Sequence, residues 1–242
     1  MAAYAARAGI QARVYVPSYA SPAKQAQIAV YGAEVVPVPG PRANAALASH
    51  QAAAEGWVYA SHTYHPGYLV GQQSAAWELW EQLGRQAPDW IVVPVGQGGN
   101  LLGYWFGFCR LQEAGLIERI PRLVAVQATA VAPICQAMSA GLNHVPAVDP
   151  VGSSVAEGLA IAHPVRGKRI LEAVRESGGI CVQVQDDAIL AAQERLARHG
   201  LWVEPTSATA VAALDSVLSQ AKPDETIVVS LTGSGLKGKP AL

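Results

Sequence analysis

Charge is scarce in this sequence and almost balanced. Lys and Arg number 17 against 18 Asp and Glu, charged residues make up 14% of the chain, and the formal net charge is -1. A polyanion such as nucleic acid, or an acidic membrane surface, needs a basic patch that this composition does not supply. A small-molecule site is the better expectation. Sulfur is scarce too. The three cysteines, Cys109, Cys135 and Cys181, are far apart, show no CxxC spacing and lie in apolar contexts. They read as buried thiols in a reducing compartment, not as disulfide or metal ligands. No apolar run approaches the ~18 residues of a membrane span. The N-terminal stretch MAAYAARAGIQARVYV carries Arg7 and Arg13 and lacks the apolar core of a signal peptide. A cytoplasmic location is expected. The histidines are not spaced with carboxylates, so no metal site is expected.

What the chain has in quantity is apolar residues, 51% of 242, enough for one large domain or two modest ones. Helix-like and strand-like segments alternate from end to end without repeats, the pattern of an α/β protein with largely parallel sheets. A first zone, 1–60, holds a helix at Ala2 to Ala8, a strand ARVYVP, a helix opened by Ser21-Pro22, a strand AEVVPV, a helix over Ala43 to Ala54, and the apolar run WVYA. Ser21 at the N-cap and Pro22 at the first helical position form a good start signal. A second zone, 61–242, starts with a helix over Leu69 to Leu83 and has strands at WIVVPV, RLVAVQA, ICVQV and TIVVSL. Helices are expected over Leu101 to Ala114, Val165 to Glu176, Asp186 to Arg198 and Ser207 to Leu218. The β-branched, charge-poor strands read as buried on both faces. The loop Gly141 to Ser154 is the most irregular segment and a candidate border of a site.

WIVVPV runs into Gly96-Gln97-Gly98-Gly99-Asn100, and an apolar helix follows at once. The first amides of such a helix are unpaired and sit at the positive end of its dipole, and glycines let a ligand approach the backbone. The cluster suits a phosphate, with Asn100 able to cap the helix or touch the anion. A tight connection that binds nothing accounts for it equally well. A Rossmann dinucleotide loop fits worse: GQGGN is not GxGxxG, and RLVAVQA ends in Gln127-Ala128 without an acidic residue. Two further segments stand out: Gly200 to Ala208 (GLWVEPTSA) joins a short apolar strand at Leu201 to Val203 to a helix capped by small hydroxyl residues, and Leu231 to Lys237 (LTGSGLK) follows the last strand. Strand C-termini are where open α/β sheets bind ligands. The Thr232 hydroxyl either meets a neutral ring nitrogen there or caps a turn.

The pieces SPAKQAQIAVYGAEVV, VPVGQGGNLLG, RLVAVQA, SVAEGLAI, GLWVEPTSATAVAAL and SLTGSGLKG span nearly the whole chain. In this order they resemble the fold-type II pyridoxal-phosphate enzymes, and within them the threonine synthase group. The resemblance implies two open parallel-sheet α/β domains with the cofactor cleft between them, residues 1–60 being the remainder of the small domain and 61–242 the large cofactor-binding one. It implies pyridoxal 5'-phosphate as cofactor, its phosphate on Gly96, Gln97, Gly98, Gly99 and Asn100, with Thr232 facing the pyridine nitrogen. It also implies a lyase of amino-acid biosynthesis that converts O-phosphohomoserine and water to threonine and phosphate, commonly as a homodimer.

Two departures qualify the expectation. Such an enzyme holds its cofactor through a Schiff-base lysine, yet none of Lys24, Lys168, Lys222, Lys237 and Lys239 stands in the family's context for it. The helix AAYAARAG resembles the one that follows the family's lysine and Ser-Gly-Asn segments. The chain is therefore expected to be a C-terminal portion, inactive alone, with no catalytic lysine of its own and the N-terminal part missing or supplied separately. The second departure is at His65-Pro66-Gly67-Tyr68-Leu69-Val70-Gly71-Gln72, where the family resembles N-P-Y-R-L-E-G-Q. Its arginine, a natural phosphate partner, falls on Tyr68, while His62 and His65 nearby are candidate pocket residues. A serine/threonine dehydratase-type ammonia-lyase is the alternative enzyme, and a non-catalytic, partner-binding module the alternative outside enzymology.

Overall fold

The computed structural model describes residues 1–40, 42–149 and 152–237, which form two compact units, Met1–His65 and Pro66–Leu242. The first holds α1 (Ala2–Arg7), β1 (Arg13–Pro17), α2 (Pro22–Ala29), β2 (Glu34–Val38) and α3 (Arg42–Ala54). The two strands pair in parallel with Arg13 opposite Glu34. Ser21 caps α2 as expected, accepting from the Lys24 N–H at 3.3 Å. The run WVYA forms no regular element; its Trp57 lies under the Arg13 guanidinium, 4.6 Å from the ring centre.

The second unit opens with α4 (Pro66–Gln72) and α5 (Ser74–Gln82), followed by β3 (Trp90–Pro94), α6 (Gly99–Glu113), β4 (Arg122–Ala128) and α7 (Pro133–Ser139). It continues with α8 (Gly167–Glu176), β5 (Ile180–Val184), α9 (Asp186–Arg198), α10 (Pro205–Ala212), α11 (Leu214–Leu218) and β6 (Ile227–Val229). The four strands pair in parallel in the order β5-β4-β3-β6. Successive residues of β3 and β4 point to opposite faces, and each face has its own core. Ile91, Val93, Leu123 and Ala125 pack with Ala76, Leu101, Phe108, Ile134 and Ile170 from α5 to α8. Trp90, Val92, Val124 and Val126 pack with Ile189, Ala208 and Val217 from α9 to α11. All of β3 is buried, as its charge-free sequence predicts, whereas the edge strands β5 and β6 are only partly so because each has one neighbour.

Several expectations change. The helix expected over Leu69 to Leu83 is two helices broken at Gln73, which lets Gln72 sit against Gly103 and Ala76 against Gly107. Ser207 to Leu218 starts earlier, at Pro205, and is interrupted at Ala213. Leu201 to Val203 is no strand but a single antiparallel bridge, Val203 to Ser234. Helix α7 opens on Pro133 without a capping side chain at Ala132, and its cap is remote: the Gln127 side chain accepts from the N–H groups of Ile134 and Cys135 at 2.9 and 3.2 Å. The reading of three isolated thiols also fails. Cys135 and Cys181, 46 residues apart, are joined in a disulfide with Cα atoms 5.1 Å apart, since α7 folds back onto β5, and only Cys109 remains a thiol. No helix among the described residues is long and apolar enough to cross a membrane.

Candidate cofactor site

The last residue of β3 leads through Val95 into the glycine cluster. Val95 is fixed from two sides: its N–H donates to the Val126 carbonyl at 2.8 Å, and its own carbonyl accepts from the buried Gln127 amide at 3.2 Å. Gly98 then takes φ +74°, a left-handed conformation that glycine adopts without cost, and lies against Ile170 where a side chain would collide. Helix α6 begins at the next residue. Its first backbone bond runs from the Leu102 N–H to the Gly98 carbonyl. The N–H groups of Gly96 through Leu101 donate to no acceptor among the described residues. Gly96 and Gly98 are buried, and the first turn of α6 has no acidic residue. Unpaired amides at the positive end of a fifteen-residue helix, with no competing carboxylate, are a fit for a dianionic phosphate.

The side chains of the cluster face elsewhere. Gln97 Oε1 accepts from the Val165 N–H at 3.1 Å, tying the cluster to the segment before α8. Asn100 lies inside the first turn and caps nothing; its Nδ2 donates to Ser230 Oγ at 3.3 Å. Tyr104 Oη lies 3.4 Å from the same hydroxyl. The cluster therefore offers its backbone, while its amide side chains position it.

Ser230 follows β6, so the Asn100 bond carries the loop Leu231 to Ser234 to the same end of the sheet. The Thr232 N–H donates to Oγ of the fully buried Ser207 at 2.9 Å. The Glu204 N–H donates to the Gly233 carbonyl at 3.0 Å, and the Glu204 side chain lies where a Cβ at Gly233 would be. Thr232 is thus held by its backbone and left exposed, its hydroxyl free of any partner among the described residues. A free neutral hydroxyl suits a neutral ring nitrogen. From a third side comes the 3-10 turn Glu157–Leu159. The Asp186 carboxylate anchors it by accepting from Ser154 Oγ and the Val155 N–H, and the Gly158 N–H donates to Thr206 Oγ1 at 3.3 Å. A Cβ on Gly96 would lie 3.0 Å from the Gly158 carbonyl.

Gly96, Gln97, Gly98, Gly99, Asn100 and Thr232 accordingly gather at the carboxyl-terminal end of one sheet, with Gln97 and Asn100 turned to structural duties. Gln127, Ser207 and Ser230 belong to the same arrangement, and the sequence alone did not single them out. For Gln127 a signal exists: a lone polar side chain in a strand buried on both faces must find partners.

The family model for pyridoxal-phosphate dependent enzymes matches residues 1–233 of the chain. Threonine synthase from Methanocaldococcus jannaschii is 36% identical over 100% of this chain and 60% of its own length. Threonine synthase from Synechocystis is 38% identical over 98% of the chain and 60% of its own length. The chain thus spans about 60% of these curated relatives. Among solved structures, the T.th. threonine deaminase superposes with a TM-score of 0.78 at 26% identity, over 99% of this chain and 74% of that one. A fungal L-serine ammonia-lyase from Rhizomucor miehei shares the fold, with a TM-score of 0.80 at 22% identity over 96% of this chain and 73% of that one. The cradle of amides, the parallel sheet and the match over almost the whole chain agree, and the chain belongs to the pyridoxal-phosphate dependent enzyme family.

Proposed function

We propose that this chain carries the phosphate-anchoring and ring-facing part of a threonine synthase-like lyase acting on a small amino acid. The observation that carries the reading is the row of N–H groups from Gly96 to Leu101, beside a loop with the Thr232 hydroxyl, none of which has a partner among the described residues. The bound cofactor supplies an electron sink for bonds at the substrate α-carbon. The chain supplies the rest. The amides and the α6 dipole hold the phosphate, and Gln97, Asn100 and Gln127 keep those amides aimed. The Thr232 hydroxyl would face the ring nitrogen without the charge that would hold it protonated, which would favour replacement and elimination over transamination. Lys24, Lys168 and Lys222 are not enclosed in a pocket: Lys24 and Lys168 are exposed, and Lys168 pairs with Glu172 on α8 at 4.0 Å. Lys239 lies outside the described residues. The chain alone binds the cofactor non-covalently and is inactive; the lysine comes from further sequence or a second polypeptide, and the assembled enzyme is a homodimer.

Titration with pyridoxal 5'-phosphate, followed by borohydride reduction and mass spectrometry, tests this. Binding without a lysine adduct is expected; an adduct on this chain would overturn the claim that the anchor lies elsewhere. A dehydratase-type ammonia-lyase is the second reading. Tyr68 stands where the threonine synthase group has its arginine, and the T.th. threonine deaminase superposes over 99% of the chain. With the lysine-bearing part present, phosphate release from O-phosphohomoserine supports the first reading and 2-oxobutyrate from threonine supports the second.

A further inference from the structure

Helix α4 ends where α6 begins. The two approach closely because Gly99 and Gly103, one turn apart, leave a groove on α6. A Cβ at Gly103 would lie 2.6 Å from the Gln72 Cβ and 2.9 Å from its carbonyl. At Gly99 a Cβ would meet the Gln72 carboxamide, 3.0 Å from Oε1 and 3.5 Å from Nε2. In an α-helix the Cα–Cβ direction tilts toward the N-terminus. A group lying where the Cβ of Gly99 would point is therefore on the side of the first turn toward which the free N–H groups also project. The Gln72 carboxamide occupies that place and makes no hydrogen bond with any described residue. A carboxamide has two donors and an acceptor, and a half-turn about its last bond exchanges them.

We infer that Gln72 is a fourth wall of the cradle, its Nε2 donating to the anion that the amides of Gly98, Gly99 and Asn100 receive. The inference rests on the reading of that helix start as a phosphate site. It gives the site a donor that is polar but uncharged, one that adds direction without adding positive charge. It also gives glycine at position 99 a use: a Cβ there would lie 3.0 Å from the Gln72 Oε1 and press on the carboxamide.

The test compares pyridoxal 5'-phosphate with unphosphorylated pyridoxal on the purified chain, for wild type, Gln72→Ala and the isosteric Gln72→Glu. Wild type should prefer the phosphorylated ligand. Gln72→Ala should weaken pyridoxal 5'-phosphate about tenfold, the size of one hydrogen bond to a charged acceptor, and leave pyridoxal unchanged. Gln72→Glu, which keeps the packing on Gly103, should weaken the phosphorylated ligand further, and more so at low salt because two like charges then face each other. A wild-type preference that survives intact in both variants overturns the role of Gln72 alone. Equal losses for both ligands do so as well, because they would mark a purely structural effect. Absence of any preference in wild type overturns the phosphate site and Gln72 with it.

Discussion

The two ends of the four-stranded sheet use the same backbone chemistry in opposite ways. At the amino-terminal ends of the strands the polar groups close on one another. The Asp89 carboxylate accepts from Arg119 and from the Thr226 N–H, the latter at 2.8 Å. Glu225 accepts from the Trp90 indole at 2.8 Å, from Arg122 at 3.0 Å and from the Lys222 N–H at 3.1 Å, and the Arg122 guanidinium lies over the Trp90 ring. At the carboxyl-terminal ends, the N–H groups of Gly96 to Leu101 and the Thr232 hydroxyl have no acceptor among the described residues. Gly96, Gly98 and Leu101 are buried, and leaving a buried donor unpaired costs ~1–3 kcal/mol, so the fold gives up stability at that end. The closed end stabilises the sheet, and the open end is where, on the proposed function, a ligand would complete the hydrogen bonding.

Breaking the open end should have the largest effect. Gly98→Val forces a branched residue into left-handed backbone, ~1–2 kcal/mol, and drives it into Ile170, ~1–3 kcal/mol of overpacking. A urea midpoint should register the combined loss, and pyridoxal 5'-phosphate binding should disappear with it. Unchanged binding would separate the glycine from the ligand. At the closed end, stability should depend on acid. The Trp90 indole first, then the Lys222 N–H and Arg122, hold the Glu225 carboxyl down at about 2 from an ordinary 4.5. Because the folded value is the lower one, the contribution is complete above about pH 4.5 and is lost as pH falls toward 2. Between those values the unfolded chain binds the extra proton. Glu225→Gln should flatten that part of the stability profile relative to wild type while ligand binding at pH 7 stays the same; matching profiles would refute the assignment. The smallest effect belongs to Arg119→Ala. Its guanidinium is 66% exposed and the pair with Asp89 is screened by solvent, so the expected loss is under ~1 kcal/mol and shrinks with added salt.

How much was legible in advance varies with the range of the forces involved. Strands β3 and β4 could be read because a charge-poor β-branched run has few other uses, and α2 because its start signal, Ser21-Pro22, is local. Helix α7 was not read although Pro133 opens it, since its cap is supplied by Gln127 from β4. The pairing of Cys135 with Cys181 was hidden for the same reason: spacing along the chain says nothing about two elements that fold together. The break at Gln73 went unread although Gly71 and Ser74 flank it, the Ser74 hydroxyl donating to the Gly71 carbonyl at 2.8 Å. Asn100 was read as a possible cap or anion contact; its side chain caps nothing and donates to Ser230, 130 residues away, while its backbone N–H stays in the proposed cradle.

By itself, then, the alternation of helix-like and strand-like segments determined the fold class, and the resemblance of six motifs pointed to the family and to the proposed phosphate site. The first depends on local backbone preference and hydrophobic alternation, which a linear string records; the second depends on the motifs themselves. Which atoms in that neighbourhood remain free was decided only by the tertiary structure. Whether an amide, a hydroxyl or a carboxamide is spent or available depends on partners distant in sequence, and Thr232, Gln97 and Gln72 take their roles from Ser207, Val165 and Gly99.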